Sequence, residues 1–346
     1  MKAVLCVLLL FLARVGAHEE PTSYVNLIPE HDALTVEVVA SATDFAHYLP
    51  GVDSRMLLQS QTLQEQQPAL TGLVQARLRI GGLELQSVSA GVIPEKEDVR
   101  LVFRAGWPAA PATVRVECAL FPYDPRHRTF VTVRHDGVVE STKIFDAGST
   151  SGELSLGKPL RIPAVMQQFF REGLHHIFIG PDHILFVVGL LLLGGGVRRL
   201  LAIVTAFTVA HSITLCLATL RIFTPPASII EPVIALSIVL VGIHAILPVK
   251  RRDPRLVFAF LFGLVHGFGF AFALGEIHLS GTALGWSLFA FNGGVEAGQA
   301  VIILATAPLL ALVRRYSEKA SERLVTACAA CVVMAGSYWF VERLLA

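Results

Sequence analysis

After Pro163 the chain runs through six apolar stretches of roughly 20 residues, each long enough to cross a hydrocarbon core of about 30 Å as a helix. They fall near residues 169–193, 200–220, 229–248, 256–275, 284–312 and 322–342. Lipid offers no partner to a backbone N–H or C=O, so a segment of this kind satisfies its own hydrogen bonds as a helix. The pattern predicts an α-helical membrane bundle of about six transmembrane helices over residues 161–346. Composition agrees, with 53% of residues hydrophobic and 16% charged, outside the range of ordinary soluble chains. The formal net charge is +1 and the basic residues sit in short clusters beside apolar stretches, which leaves no footprint for nucleic acid.

Upstream the pattern changes. Lys2, the apolar run Ala3–Ala13 and the small-residue end Val15-Gly16-Ala17 make residues 1–17 read as a secretory signal peptide; an uncleaved anchor is the alternative. Residues 18–160 contain short alternating runs such as Leu34–Val39, Val74–Ile80 and Thr129–Val133, punctuated by Gly, Pro and Asp. They predict an exported all-β domain, an immunoglobulin-like antiparallel sandwich. A Gln-rich helical excursion is expected at 53–67 and a Gly/Ser-rich linker at 146–158. Cys118 is the only cysteine of this domain, so no intramolecular disulfide can staple it.

Orientation has its own signal. Arg198 and Arg199, then Lys250, Arg251, Arg252 and Arg255, then Arg314, Arg315, Lys319 and Arg323 occupy alternate connections, which the positive-inside rule assigns to the cytoplasm. The intervening connections hold only Arg221. The expectation is a multi-pass protein of the inner (plasma) membrane with its N-terminal domain periplasmic or extracellular, in agreement with the signal peptide.

Ionisable side chains inside a bilayer are costly and usually mark a site. Counted at about 1.5 Å of rise per residue, Asp182, His183, His211, His266, Asn292 and Glu296 share a layer roughly 12–18 Å below the outer surface. His175, His176 and Glu231 lie about 3–5 Å below that surface by the same count, as an entrance. His244 lies near the cytoplasmic end and reads as an ordinary packing residue. His176 and His183 are seven apart, which puts them on one helix face; Asn292, Glu296 and Gln299 share another. Gly180-Pro181 predicts a kink or a broken helix between the two histidines. Gly263 with Gly267, and Gly294 with Gly298, are small-xxx-small pairs that let helices approach closely. Imidazole mixed with carboxylate suits borderline divalent metals such as nickel, cobalt, zinc or iron. The plainer alternative is that each histidine bonds a neighbouring helix as structural glue.

The run His176-Ile-Phe-Ile-Gly-Pro-Asp182-His183 resembles the first-helix motif His-x-x-x-Gly-x-Asp-His of the HupE/UreJ family of membrane proteins. Phe207-Thr-Val-Ala-His211-Ser, Gly263-Leu-Val-His266-Gly-Phe-Gly and Phe291-Asn292-Gly-Gly-Val-Glu296-Ala-Gly-Gln299 correspond to further family motifs, in order, across the membrane half. Ile177 stands where the family often has proline, which marks a divergent branch with a long exported domain. The resemblance implies nickel or cobalt uptake for hydrogenase and urease maturation. It implies a metal ion and the lipid bilayer as partners; separately, the histidines of the exported domain make a periplasmic metal donor or a protein partner the expectation for that domain. Two other readings stay open. One is an intramembrane metal-dependent hydrolase, holding zinc, with Glu296 or Asp182 as general base; the other is a metal sensor or assembly protein. Neither HExxH nor Gly-x-Ser-x-Gly occurs.

Overall fold

The computed structural model describes residues 21–107, 111–135, 138–157, 161–247, 253–269, 279 and 281–345. The signal-peptide reading of residues 1–17, the basic residues 250–252 and the end of the fourth apolar stretch lie outside these. Two compact units divide the chain, one built on His18–Arg161 and the other on Ile162–Gly275 with Thr282–Ala346.

In the first unit β1 (Thr22–Pro29) and β2 (Ala33–Ser41) form a hairpin, followed by α1 (Ala42–Ala46), α2 (Ser54–Leu57) and α3 (Ser60–Arg77). Seven strands follow: β3 (Leu78–Ile80), β4 (Gln86–Ile93), β5 (Asp98–Gly106), β6 (Thr113–Cys118), β7 (Arg128–His135), β8 (Val138–Phe145) and β9 (Ser151–Ser155). They make a six-stranded sheet, β4-β5-β2-β1-β7-β8, and a three-stranded sheet, β3-β6-β9. Period-2 alternation turns Leu34, Val36 and Val38 inward, where they join Ile80, Val116 and Leu154 of the smaller sheet in one apolar core.

This unit differs from the all-antiparallel, all-β sandwich expected of it. β1 and β7 pair in parallel, and an 18-residue helix, α3, packs into the core. The strand expected at Val74–Ile80 is helix as far as Arg77. Leu63, Leu70 and Val74, at helical spacings of seven and four, bury one stripe of α3, and a short alternating run cannot outweigh that stripe. The linker expected at 146–158 contains β9, which pairs with β6. There Leu154 is fully buried, and Gly152 lies under the Lys143 side chain, where a Cβ would displace it.

A buried polar chain ties α1 to the larger sheet. The Tyr123 hydroxyl donates to Asp44 Oδ1 at 2.5 Å, and His127 Nδ1 lies 3.7 Å from the same oxygen. His127 Nε2 meets Ser23 Oγ at 2.9 Å, and Ser23 Oγ meets Thr129 Oγ1 at 2.8 Å. Burial pushes the Asp44 carboxyl up to about 6, against the lowering effect of the Tyr123 bond. Burial also pulls the His127 imidazole down to about 4, against the charge of Asp124.

The second unit holds α4 (Ile162–Ile179), α5 (Pro181–Leu192), α6 (Val197–Thr219), α7 (Ala227–Ile246), α8 (Arg255–Gly269), α9 (Gly281–Tyr316) and α10 (Glu318–Leu345). Four helices, α6, α7, α9 and α10, are long and apolar enough to cross a membrane. A fifth unit is the pair α4 and α5, bent by 70° at the break between them. The remaining apolar stretch appears among the described residues as α8, of 15 residues. Glycines set the closest helix contacts. Gly173 of α4 abuts the Phe291 carbonyl of α9, and Gly294 of α9 abuts the Phe170 carbonyl of α4. Gly263 and Gly267 of α8 abut the Phe207 and His211 carbonyls of α6. At each contact a Cβ would enter backbone of the partner helix.

One end of this unit is basic. Arg255 Nη1 donates to the Leu190 and Gly194 carbonyls at 2.9 and 2.7 Å, which caps the C-terminal end of α5 with a cation. Asp253 holds Arg255 from below and Arg199 from the side at 2.9 Å. The bonds from Arg255 keep the Asp253 carboxyl down at about 2. Arg314 lies against Gly194, so basic residues from three separate connections meet there.

Two outcomes follow from these contacts. Between pH 4 and 6 the folded Asp44–His127 pair is neutral, whereas the unfolded chain carries a carboxylate and an imidazolium, so the two stability slopes oppose each other. Asp44→Asn leaves only the depressed histidine, and stability of the β unit should fall by about 3 kcal/mol as pH drops from 6.5 to 4. His127→Gln leaves only the raised carboxyl, and stability should rise by a similar amount as pH drops from 6 to 4. Denaturant unfolding of each variant across this range checks both signs. Separately, Gly267→Val should lower the melting temperature of the detergent-solubilised membrane unit, at a cost of about 3 kcal/mol, while a Gly285→Val control, at a position with open space around it, should not.

Candidate metal centre

The centre begins at a gap in a helix. Gly180 caps the N-terminus of α5 and Pro181 occupies its first turn, a position where a missing N–H is no loss. The Gly180 N–H still bonds the His176 carbonyl at 2.9 Å and closes α4, while the Gly180 carbonyl accepts from Ile184 at 3.2 Å and opens α5. In a continuous helix His176 and His183 would stand about 10 Å apart along the axis. The 70° bend instead brings their ring centroids to 4.5 Å. Proximity therefore comes from the break, and the shared helix face expected from their spacing is not what joins them. A Cβ at Gly180 would come within 2.9 Å of both the His176 carbonyl oxygen and His183 Nδ1.

His211 of α6 completes a triangle, its ring centroid 6.4 Å from each of the other two. One nitrogen from each of His176, His183 and His211 lies within 4.8 Å of the others, and all three residues are buried. His266 of α8 stands beside them, 5.1 Å from His183. Nitrogens this close could hold one divalent ion between them.

Hydrogen bonds assign the lone pairs. Asn292 Nδ2 donates to the Leu288 carbonyl at 2.8 Å, so its Oδ1 faces His211 Nδ1 at 3.2 Å and accepts. The His211 proton is then on Nδ1, and Nε2, which has no partner among the described residues, keeps its lone pair. Ser237 donates its only hydroxyl proton to the Ile234 carbonyl at 2.6 Å, so at 2.9 Å it accepts from His266 Nε2. His266 Nδ1 is thereby left as a buried lone pair without a partner among the described residues. Neither ring nitrogen of His183 has one. Imidazoles oriented from behind by an amide or hydroxyl are what a metal ligand requires.

The carboxylates go elsewhere. Asp182 Oδ2 accepts from Arg343 Nη2 at 2.7 Å. Arg343 Nη1 donates to the Glu231 carbonyl at 3.1 Å, and its Nε stands 4.0 Å from Glu231 Oε2. Glu296 accepts from the Thr205 hydroxyl. Of the residues expected to share a layer, His183, His211 and His266 converge and Asn292 stands behind His211; His176, expected higher as part of an entrance, joins them because the break folds its helix back toward His183. Asp182 and Glu231 sit on an arginine, and Glu296 on a threonine. Sequence reasoning passed over Arg343, which lies just beyond the last apolar stretch, and Ser237, a single hydroxyl in an apolar helix. Their signal was present: a guanidinium or a hydroxyl within a membrane helix also needs a partner.

A polar row continues from the centre between α6 and α9. His211 meets Asn292, Thr208 Oγ1 meets Gln299 Oε1 at 2.9 Å, and Thr205 meets Glu296. From His211 to Thr205 the row covers about 9 Å of helix.

The family model described as HupE / UreJ protein matches residues 155–343. No curated protein matches the chain. With more than half of its length matched, through all four histidines of the centre, the chain belongs to the HupE/UreJ family.

Asn292→Leu removes the acceptor that orients His211 and should weaken Co²⁺ binding by the purified protein about 10- to 100-fold, with Asn292→Asp retaining most of it. Equilibrium dialysis in detergent reads both.

Proposed function

We propose that this HupE/UreJ protein carries a divalent transition-metal ion, nickel or cobalt, across the membrane through a site formed by His176, His183 and His211 with His266 beside it. The observation that carries this reading is the convergence of three buried imidazole nitrogens within 4.8 Å of one another. Neutral nitrogen ligands suit borderline divalent ions and not calcium or magnesium, in keeping with a family linked to nickel and cobalt transport and to urease and hydrogenase maturation.

The polar row between α6 and α9 supports passage. In the orientation that the basic clusters give, it leads from the buried histidines toward the cytoplasmic side, its last pair, Thr205 and Glu296, lying at the exposed side of the helices. Six helices cross the membrane in this reading, α8 being one of them. The β unit is exported, the signal peptide being cleaved after Ala17, and serves a periplasmic metal donor or a protein partner. A zinc hydrolase needs a general base facing the metal and its water. Asp182 and Glu296, the two candidates, are engaged by Arg343 and Thr205, which favours transport.

Reconstitution into vesicles tests the proposal. Radioactive nickel or cobalt should enter saturably, and His183→Ala should reduce entry to the level of empty vesicles. Failure of every first-row divalent metal to enter, together with one tightly held zinc, would overturn transport in favour of the enzyme.

A further inference from the structure

The histidine centre is neutral and buried, so a divalent ion bound there needs a negative charge close by. Asp182, next to His183 in the chain, stands outside the three-histidine group, its Oδ2 held by Arg343 at 2.7 Å. This pair is largely shielded from solvent, with side-chain exposures of 9% for Arg343 and 16% for Asp182. The contact is also incomplete. Arginine and carboxylate commonly meet through two parallel bonds, but here Asp182 Oδ1 is buried with no hydrogen-bond partner among the described residues. One guanidinium on α10 thus ties the first turn of α5 to the Glu231 carbonyl of α7.

We propose that Arg343 is a resident counter-cation that occupies Asp182 while the centre is empty, and that an arriving divalent ion takes Asp182 from it. The inference rests on the metal-transport reading and adds a regulatory step to it. Guanidinium and metal compete for one carboxylate, so loading the centre loosens α10 from α5 and α7. Arg343 acts on the ion through charge and through Asp182, which makes it a positioning residue. The free energy of metal binding is then linked to a change in helix contacts, as a carrier requires.

The test is direct Co²⁺ binding to the full-length purified protein, measured by equilibrium dialysis. Arg343→Gln removes the competing charge and should tighten binding about tenfold or more, whereas Arg343→Lys keeps the charge and should stay within about threefold of the wild type. Unchanged or weaker binding by a folded Arg343→Gln protein overturns the proposal. A second measurement needs no change at Arg343. Infrared difference spectra of the wild type with and without Co²⁺ should show a shifted carboxylate band that is missing from Asp182→Asn, and spectra with no such band overturn it equally. Absence of Co²⁺ binding by the wild type would sink the transport reading itself, an outcome distinct from binding that ignores Arg343.

Discussion

A glycine–proline break in a helix underlies the candidate metal centre. Pro181 has no N–H to give to the turn before it, and with Gly180 beside it as the cap of a new helix the first apolar segment breaks and bends by 70°, whereas Pro232 and Pro308 sit inside unbroken helices. That bend sets His176 against His183. Everything else at the centre is added to this pair: His211 from α6, His266 from α8, and behind them an amide and a hydroxyl that determine which nitrogen carries the proton. A bilayer tolerates broken helices only where the freed backbone faces protein or a cavity, and this break faces the most polar part of the bundle.

The surrounding bundle is built for close approach. Glycines on α4, α8 and α9 bring backbones together, so side chains as short as Asn292 and Thr208 reach across to a neighbouring helix. With larger residues at those contacts the same polar groups would lie farther apart and face lipid unpaired, at a cost of several kcal/mol each. Packing and polarity are one problem here, which explains why the small-residue pairs flank the chemistry-bearing residues so closely in the chain.

Much of this was legible beforehand, and the gaps have physical causes. Apolar length identified the helices of the second unit, because backbone satisfaction in lipid leaves so few alternatives; among the described residues four of them, or five with the bent pair, are long and apolar enough to cross a membrane. Counting residues gave depth, which grouped His183, His211 and His266 but set His176 too high, because the count treated the first segment as one straight helix. Depth says nothing about azimuth or about distant partners, however, and Asp182, Glu231 and Glu296 are each engaged by a residue far away in the chain: Arg343 for the first two, Thr205 for the third. His176 and His183 were matched for a reason that the structure replaces, since the bend and not the helical repeat joins them. In the β unit, Val74–Arg77 alternates like a strand but completes the buried stripe of α3. Ser151–Ser155 looks like a linker by composition but is a strand, because Leu154 has a core to enter.

The glycine contacts divide the bundle in a way that bears on movement. α4 and α9 touch backbone to backbone, as do α6 and α8, so each couple is stiff within itself. The ligands are shared between the couples: His176 belongs to the first, while His211 and His266 belong to the second. Rocking one couple against the other would therefore strain the imidazole cluster together with the polar pairs that cross from α6 to α9, so the histidine site and the row beside it would open as one.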